Sequence, residues 1–165
     1  MIDILIINPG DRKKTFQTLG DKYAAIETPY WSVAIAAYLR DNNFSVHIID
    51  ADVEALTPKE TASRVSDIKP TLTAIISHGS TPQSSTLNMA SSSAIAKEIK
   101  GSCNTYIAIS GIHPTALPEQ TLEEEEVDFV IIGEGPITIK NLITAIKDKS
   151  DSFNKIEGLC FYDKD

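Results

Sequence analysis

The chain has 165 residues, of which 42% are hydrophobic and 23% charged, and its formal net charge at pH 7 is −8. This length and composition favour one globular domain with its own core. The acidic surplus argues against a nucleic acid partner, because binding a phosphate backbone requires a basic surface. No apolar run approaches the ~20 residues of a membrane-spanning helix, so we predict no transmembrane segment, and we predict no signal peptide.

The two cysteines, Cys103 and Cys160, stand far apart in the sequence. They match no metal-ligand spacing and are too few for a disulfide framework. Such cysteine usage is typical of a reducing compartment, and we therefore predict a cytoplasmic protein.

Five short apolar runs alternate with segments of helical periodicity. The first run, Ile4 to Ile7, is wholly apolar and predicts a strand buried on both faces. It is followed by a long polar loop, 11–28, of the kind that is functional or disordered. The other predicted strands cover 45–49, 71–77, 105–110 and 129–132, with a sixth, peripheral strand at 156–162. The predicted helices cover 29–40, 58–68, 83–100, which Gly101 would close, 117–125, and a segment that begins at Pro136.

Strict alternation of strands and helices predicts an α/β fold with a parallel sheet and helices on both faces. Five strands favour a flavodoxin-like (Rossmann-like), doubly wound sheet of order 2-1-3-4-5, with the short C-terminal strand at its periphery. Right-handed crossovers bring every strand-to-helix loop to the carboxyl edge. The binding crevice is then expected where the first and third strands meet.

Small residues dominate three of the loops at this edge, and glycine lets a backbone approach a ligand closely. We interpret the set as a binding platform, although any single glycine could equally serve the turn itself. The run that ends at Gly111 is followed by a histidine and two prolines, which predicts a tight exit without regular structure. The candidate site residues are Asn8, Pro9, Ser77, His78, Gly79, Ser80, Thr81, Ser110, Gly111, Ile112, His113, Pro114, Gly133, Glu134 and Gly135.

The sequence also bears on other kinds of site. His78 and His113 could share a metal, but no third ligand joins them in the sequence, so we predict no metal site; His47, inside the second strand, is interpreted as structural. Asp50 and Asp52 could hold a ribose only if a Gly-x-Gly-x-x-Gly loop followed the first strand, and it is absent. The first loop also lacks a Walker motif, the acidic pair of a receiver domain and the phosphate loop of a flavodoxin. The acidic run 123–126 is interpreted as a solvated helix end.

The chain resembles the amino-terminal cobalamin-binding domain of cobalamin-dependent radical S-adenosylmethionine enzymes. The similarity covers the whole chain and is carried by these segments: Ile6-Ile7-Asn8-Pro9, the helix of Pro29 to Arg40, Val46 to Ala51, Ser110 to Glu119, Val127 to Gly135 and Ile156 to Tyr162. The segment Gly111-Ile112-His113-Pro114-Thr115 is similar to the family's Gly-x-His-Pro-Thr. Ser110 departs from a common glycine, and Pro136 departs from a common glutamate.

The resemblance implies that residues 1–150 bind cobalamin and that 151–165 lead toward a radical barrel. No histidine precedes Arg40, which implies a cobalt without a His lower ligand from the first-strand loop. The motif Cys-x3-Cys-x2-Cys is absent, so an iron–sulfur cluster and S-adenosylmethionine are expected only in a downstream domain of a longer methylase or cyclase. The isolated chain is expected to lack catalysis. The alternative is a stand-alone flavodoxin-like domain that binds a nucleotide or flavin, or that regulates a partner.

Overall fold

Strands and helices alternate along the chain in the computed structural model, which describes residues 2–10, 28–79, 81–150 and 152–163. Nearly all of the predicted loop 11–28 lies outside the described residues. The strands are β1 Ile4–Asn8, β2 Val46–Asp50, β3 Leu72–Ile76, β4 Tyr106–Ser110, β5 Phe129–Ile131 and β6 Leu159–Cys160. The helices are α1 Tyr30–Asp41, α2 Pro58–Ile68, α3 Pro82–Ser102, α4 Ile112–Ala116, α5 Pro118–Glu124 and α6 Pro136–Lys147, followed by a 3-10 turn at Phe153–Lys155.

The six strands form one sheet of order β2-β1-β3-β4-β5-β6. The first five strands are parallel, and β6 pairs antiparallel with β5, Leu159 lying opposite Ile131. The predicted flavodoxin-like α/β fold, its strand order and its peripheral last strand are therefore confirmed. The chain order reverses between β1 and β3, which places a crevice at their carboxyl ends.

Each face of the sheet carries its own buried core, because successive residues of a strand point to opposite faces. Leu5 and Ile7 of β1 pack with α2, α3 and α5. Ile4 and Ile6 pack with α1 and α6. All four are fully buried, so β1 is the doubly covered strand that its wholly apolar sequence predicts.

Local signals set most helix starts. Thr57 and Glu60 form a capping box at α2: the Thr57 hydroxyl accepts from the backbone N–H of Glu60, and the Glu60 carboxylate accepts from the backbone N–H of Thr57. On α6 the side chains of Ile139, Leu142 and Ile143 are fully buried, and Ile146 is partly buried against the same core. The predicted stop at Gly101 is wrong: α3 continues to Ser102, and Cys103 is its C-cap.

The exit from β4 also differs from the prediction. Residues Ile112–Ala116 form helix α4 directly after Gly111, where no regular structure was expected. Pro114 is compatible with this short helix because it lies in the first turn, whose N–H groups have no partner within the helix. Three of the candidate site residues, Ile112, His113 and Pro114, therefore lie on a helix.

Strand β2 lies at one end of the sheet. His47 lies there with an exposed side chain, which leaves its predicted structural role without a packing basis. The Arg40 Nη2 atom donates a 3.0 Å hydrogen bond to the backbone carbonyl of Val46. Across the parts of the chain described above, no helix combines the length and apolar character needed to cross a membrane.

Candidate cofactor site at the carboxyl edge

The exits of β1 and β2 are joined directly. The Asn8 side-chain amide donates a 2.9 Å hydrogen bond to the Oδ1 atom of Asp50, and the backbone N–H of Val53 donates to the same oxygen at 3.2 Å. The backbone N–H of Ala51 donates to the carbonyl of Asn8 at 3.0 Å. Pro9 is buried beside them. The Asp50 carboxylate thus holds the exits of β1 and β2 together, and it fixes the side chain of Asn8 at the crevice.

The exits of β3 and β4 are joined on the α3 face of the sheet. The hydroxyl of Ser85 donates to the carbonyl of Ser77, and its oxygen accepts a 3.1 Å hydrogen bond from the backbone N–H of His113. A β-carbon on Gly111 would lie 2.6 Å from the Ser77 carbonyl oxygen, closer than real contacts allow. Glycine at position 111 is therefore required for the two exits to approach each other.

His78 leaves β3 toward the opposite face. Its ring stacks on Trp31 of α1 with centroids 4.6 Å apart and 23° between planes. Its Nε2 atom lies 3.4 Å from the hydroxyl of Ser110. Burial lowers the pKa of His78 below its usual value, so the ring is neutral at pH 7.

The two candidate histidines therefore lie on different faces of the sheet. The ring of His78 packs on α1, whereas the Nδ1 atom of His113 lies 3.2 Å from the hydroxyl of Thr86 on α3. This separation removes the geometric basis for a shared metal ion. Within the described ranges, no group of three or more His, Cys, Asp or Glu side chains is placed to hold a metal.

The exit of β5 completes the edge. Gly135 has φ +94°, a left-handed conformation that glycine adopts without strain, and it starts α6 together with Pro136. A β-carbon on Gly135 would lie 3.3 Å from the Ser110 hydroxyl, so this exit reaches β4. The N–H of Gly133 donates to the Thr115 hydroxyl at 2.9 Å, and nothing lies within 4 Å of where its β-carbon would be. Glu134 is exposed.

The loop after β3 also forms the start of α3. Thr81 is the N-cap of α3, where its hydroxyl accepts from the N–H of Ser84, so its hydrogen bonding is explained by the helix itself. Gly79 has φ +70° and precedes this cap. Ser80 lies outside the described residues. Three residues that the sequence did not single out belong to the edge: Trp31, Ser32 and Ser85. Ser32 could have been noticed as the polar first member of the stripe Ser32, Ile35, Ala36 and Leu39.

This edge has two properties of a site for a bulky organic ligand. Its backbone is open at Gly133, and two buried polar atoms, Ser32 Oγ and His78 Nδ1, have no hydrogen-bond partner in the described structure. A buried polar atom in a native protein is normally paired with protein or a bound group. The residues therefore fit an organic cofactor with hydrogen-bonding groups, and they offer binding contacts rather than a nucleophile–base pair.

A comparison with known protein families agrees with a site for an organic cofactor. The B12 binding domain family matches residues 17–143, which is most of the chain. The chain belongs to the B12 binding domain family, and the predicted family relationship is confirmed.

Among curated proteins, the chain is 27% identical over 160 residues to the anaerobic magnesium-protoporphyrin IX monomethyl ester cyclase of Synechocystis sp.. The match covers 96% of this chain and 30% of the cyclase.

Solved structures share the fold at lower identity. The radical S-adenosylmethionine methyltransferase TsrM from Kitasatospora setae, with cobalamin and a [4Fe-4S] cluster bound, aligns with TM-score 0.77 and 19% identity. The cobalamin-dependent S-adenosylmethionine radical enzyme OxsB, with aqua-cobalamin and S-adenosylmethionine bound, aligns with TM-score 0.69 and 17% identity. Each alignment covers 99% of this chain, but only 28% of the TsrM chain and 21% of the OxsB chain.

Proposed function

We propose that this chain binds cobalamin at the carboxyl edge of its sheet. The observation that carries the proposal is that the exits of β1, β3, β4 and β5 share one edge of the sheet, beside the reversal of strand order between β1 and β3, in a member of the B12 binding domain family. The proposed contact residues are Asn8, Pro9, Ser77, His78, Gly79, Ser80, Thr81, Ser110, Gly111, Ile112, His113, Pro114, Gly133, Glu134 and Gly135.

The residues of this set have different tasks in the proposal. Gly111 and Gly135 keep the exits close together, so that the backbone forms a continuous rim. Gly133 leaves open space where a macrocycle with amide side chains can approach. Asn8, fixed by Asp50, holds the first exit in position. Bound cobalamin would supply a cobalt centre, and this chain would hold and orient it.

The lower face of the bound cobalt is the next part of the proposal. No histidine occurs among residues 1–40, so the first-strand loop cannot supply an imidazole. We expect cobalt to lack a His ligand from that loop. Axial ligation tunes the potential of a macrocyclic metal, so this arrangement would favour cycling of cobalt between oxidation states.

The chain spans about a third or less of the relatives it matches. We therefore propose that residues 1–150 are the cobalamin module of a longer cytoplasmic enzyme of the methylase or cyclase type. Residues 151–165 would connect the module to a radical barrel. The iron–sulfur cluster and S-adenosylmethionine would be bound by that barrel, and the isolated chain would have no catalysis of its own.

Titration of the purified chain with hydroxocobalamin tests the binding proposal. We expect saturable binding, a red protein after removal of free cofactor, and a shifted visible spectrum. A chain that binds flavin mononucleotide or ATP tightly and retains no corrinoid would overturn the proposal in favour of a flavodoxin-like nucleotide domain.

Electron paramagnetic resonance of the reduced complex tests the lower face. We expect the cob(II)alamin spectrum to show no splitting from a histidine nitrogen of the chain, so that substitution of His78 or His113 leaves the spectrum unchanged. A nitrogen splitting that disappears when His78 or His113 is substituted would show that a histidine of this chain ligates cobalt, contrary to the proposal.

A further inference from the structure

The exit of β5 is held by two neighbouring parts of the chain. The backbone N–H of Ile132 donates a 2.8 Å hydrogen bond to the carbonyl of Gly158, and the N–H of Gly133 donates to the hydroxyl of Thr115 at 2.9 Å. Thr115 belongs to α4 at the candidate site, whereas Gly158 belongs to the C-terminal segment, residues 152–163. The carboxyl edge therefore depends in part on a segment that supplies none of the proposed contact residues.

The C-terminal segment also holds the first turn of α6. The hydroxyl of Thr138 donates a 2.9 Å hydrogen bond to the carbonyl of Glu157, and this threonine is only 9% exposed. Helix α6 begins directly after the loop of residues 133–135. Glu157 and Gly158, which we call the junction, thus make one contact just before this loop and one just after it.

The backbone of Gly158 fits closely against both partners. Its φ of +75° is a left-handed conformation, which side chains other than glycine rarely adopt. A β-carbon at this position would lie 3.0 Å from the carbonyl oxygen of Ile132 and 3.0 Å from the hydroxyl oxygen of Thr138. Glycine is therefore the residue that lets the junction approach the exit of β5 and the start of α6 together.

The junction is itself anchored on both sides along the chain. Before it, the ring of Phe153 lies 5.2 Å from the ring of Phe129 on β5, measured between centroids. After it, β6 pairs antiparallel with β5, and the ring of Phe161 lies 6.3 Å from the same Phe129 ring. Because β6 runs opposite to β5, the segment meets the carboxyl edge at the junction and then leads away from it. The junction is thus a fixed support for the loop.

We propose that Glu157 and Gly158 position the cofactor loop of residues 133–135, so that displacement of the C-terminal segment lowers the affinity for cobalamin. This inference rests on the proposed function and deepens it, because it names a means of regulating the same site. In the proposed function this segment leads toward the barrel, and the junction then couples movement of that connection to the cofactor loop. Such a coupling is reciprocal, so bound cobalamin must stabilise the junction in turn.

Hydrogen–deuterium exchange tests the reciprocal effect on the full chain of 165 residues. We expect saturating aquocobalamin to slow amide exchange in residues 156–162 by ~3–10-fold, the range that about one hydrogen bond supports. Helix α2 is the internal control for a general gain in stability, since it packs on the other face of the sheet. A slowing in residues 156–162 no larger than that in α2 would overturn the coupling.

Substitutions of Thr138 test the positioning role. Thr138→Val keeps the shape of the side chain and removes the hydroxyl, and we expect it to weaken aquocobalamin binding by ~3–10-fold. Thr138→Ser keeps the hydroxyl and should restore wild-type affinity. Thr144→Val is the matched control, because it makes the same change on α6 at a hydroxyl that bonds to the carbonyl of Lys140 within the helix. Its affinity should equal that of the wild type.

Gly158→Ala tests the junction from the other side of the contact. The added β-carbon should push the junction away from Ile132, and we expect the amide resonances of Ile132 and Gly133 to shift in the nitrogen-15 spectrum of the free chain. We also expect weaker binding of aquocobalamin, measured by visible absorption. Circular dichroism confirms that each variant is folded, and the Thr138 series carries the test if Gly158→Ala does not fold.

The possible outcomes separate the two proposals. A wild-type chain that does not bind aquocobalamin would overturn the proposed function, and this inference with it. Wild-type affinity in Thr138→Val would leave the proposed function standing and overturn the role of the junction. Equal losses in Thr138→Val and Thr138→Ser would also overturn it, because the hydroxyl would then not be the cause.

Discussion

The side-chain amide of Asn8 donates a 2.9 Å hydrogen bond to Asp50 across the exits of β1 and β2. This contact joins two loops that are 42 residues apart in the chain. We therefore expect substitutions of Asn8 to lower the stability of the fold. Asn8→Ala removes one hydrogen bond and should lower the free energy of unfolding by about 1 kcal/mol.

Asn8→Asp has the same shape as the wild type but places two carboxylates in contact. At pH 7 we expect it to cost about 2–3 kcal/mol, more than Asn8→Ala, because repulsion adds to the lost hydrogen bond. The excess should shrink near pH 4, where one carboxyl of the pair takes up a proton. Urea unfolding at both pH values measures this, and equal stability of the two variants at pH 7 would contradict the contact.

Gly111 predicts a steric effect. Its added β-carbon would meet the carbonyl of Ser77 at 2.6 Å, so Gly111→Ala should destabilise the fold by about 1–3 kcal/mol and weaken corrinoid binding. Gly101 is the matched control, since it lies inside α3 and nothing lies within 4 Å of its β-carbon position. Gly101→Ala should instead stabilise the helix by about 0.5–1 kcal/mol. Thermal unfolding of both variants tests the difference in sign.

The carboxylate of Asp3 lies at the opposite edge of the sheet, where it accepts from Ser45 at 2.6 Å and from Lys147 at 2.5 Å. Burial alone would raise the pKa of Asp3, but the hydrogen bonds from Lys147 and Ser45 outweigh it and hold the pKa at about 2. Because the pKa of Asp3 is lower in the folded chain than its usual value of 3.8, the charged carboxylate stabilises the fold above about pH 3.8. This stabilisation is lost as the pH falls toward 2.

Asp3→Asn should therefore cost about 1–2 kcal/mol at pH 7, and the gap to the wild type should close between pH 4 and pH 2. Urea midpoints at pH 7, 4 and 2 provide the measurement. A gap of constant size over this range would mean that the charge of Asp3 does not contribute.

His78 gives a pH dependence in a higher window. Burial lowers its pKa below the ordinary value of 6.5, so the unfolded chain binds the proton more readily than the folded chain. Stability from the neutral ring is complete above pH 6.5 and falls as the pH drops toward the folded pKa. We expect the wild type to lose stability between pH 6.5 and pH 5 more steeply than His78→Phe. The His47→Phe chain should keep the wild-type slope; if it loses the slope instead, the effect belongs to another histidine.

Much of the fold follows from the sequence because buried parallel strands are short apolar runs. Ile4 to Ile7 predicts the doubly covered β1, and the alternation of strands with helices predicts the sheet order. Helix α4 was not predictable in this way, since five residues with a proline give no periodic signal. The predicted end of α3 was wrong because glycine commonly ends a helix. At Gly101 the surroundings are open, and the helix continues through this residue.

The site was predicted as a set of loops, but not as two opposite faces. The face of the sheet on which each side chain lies depends on strand register and on the rotation of α4. The amino-acid sequence does not show either directly. His78 and His113 were grouped together for this reason, although they contact α1 and α3 respectively. Trp31 and Ser32 lie within the predicted helix 29–40, and neither was predicted as a site residue. Their contribution to the carboxyl edge emerges only when α1 is packed on the sheet.

The two ends of the sheet also decide how the chain behaves among copies of itself. An edge strand with free backbone groups is a template for aggregation, which proteins limit with charged side chains and short edge strands. Here β6 is two residues long and antiparallel, so it offers little to a foreign strand. At the other end of the sheet, β2 is longer, and the guanidinium of Arg40 donates a hydrogen bond to the backbone carbonyl of Val46. This arginine thus acts as a gatekeeper, and a chain without it should be more prone to form intermolecular β-structure.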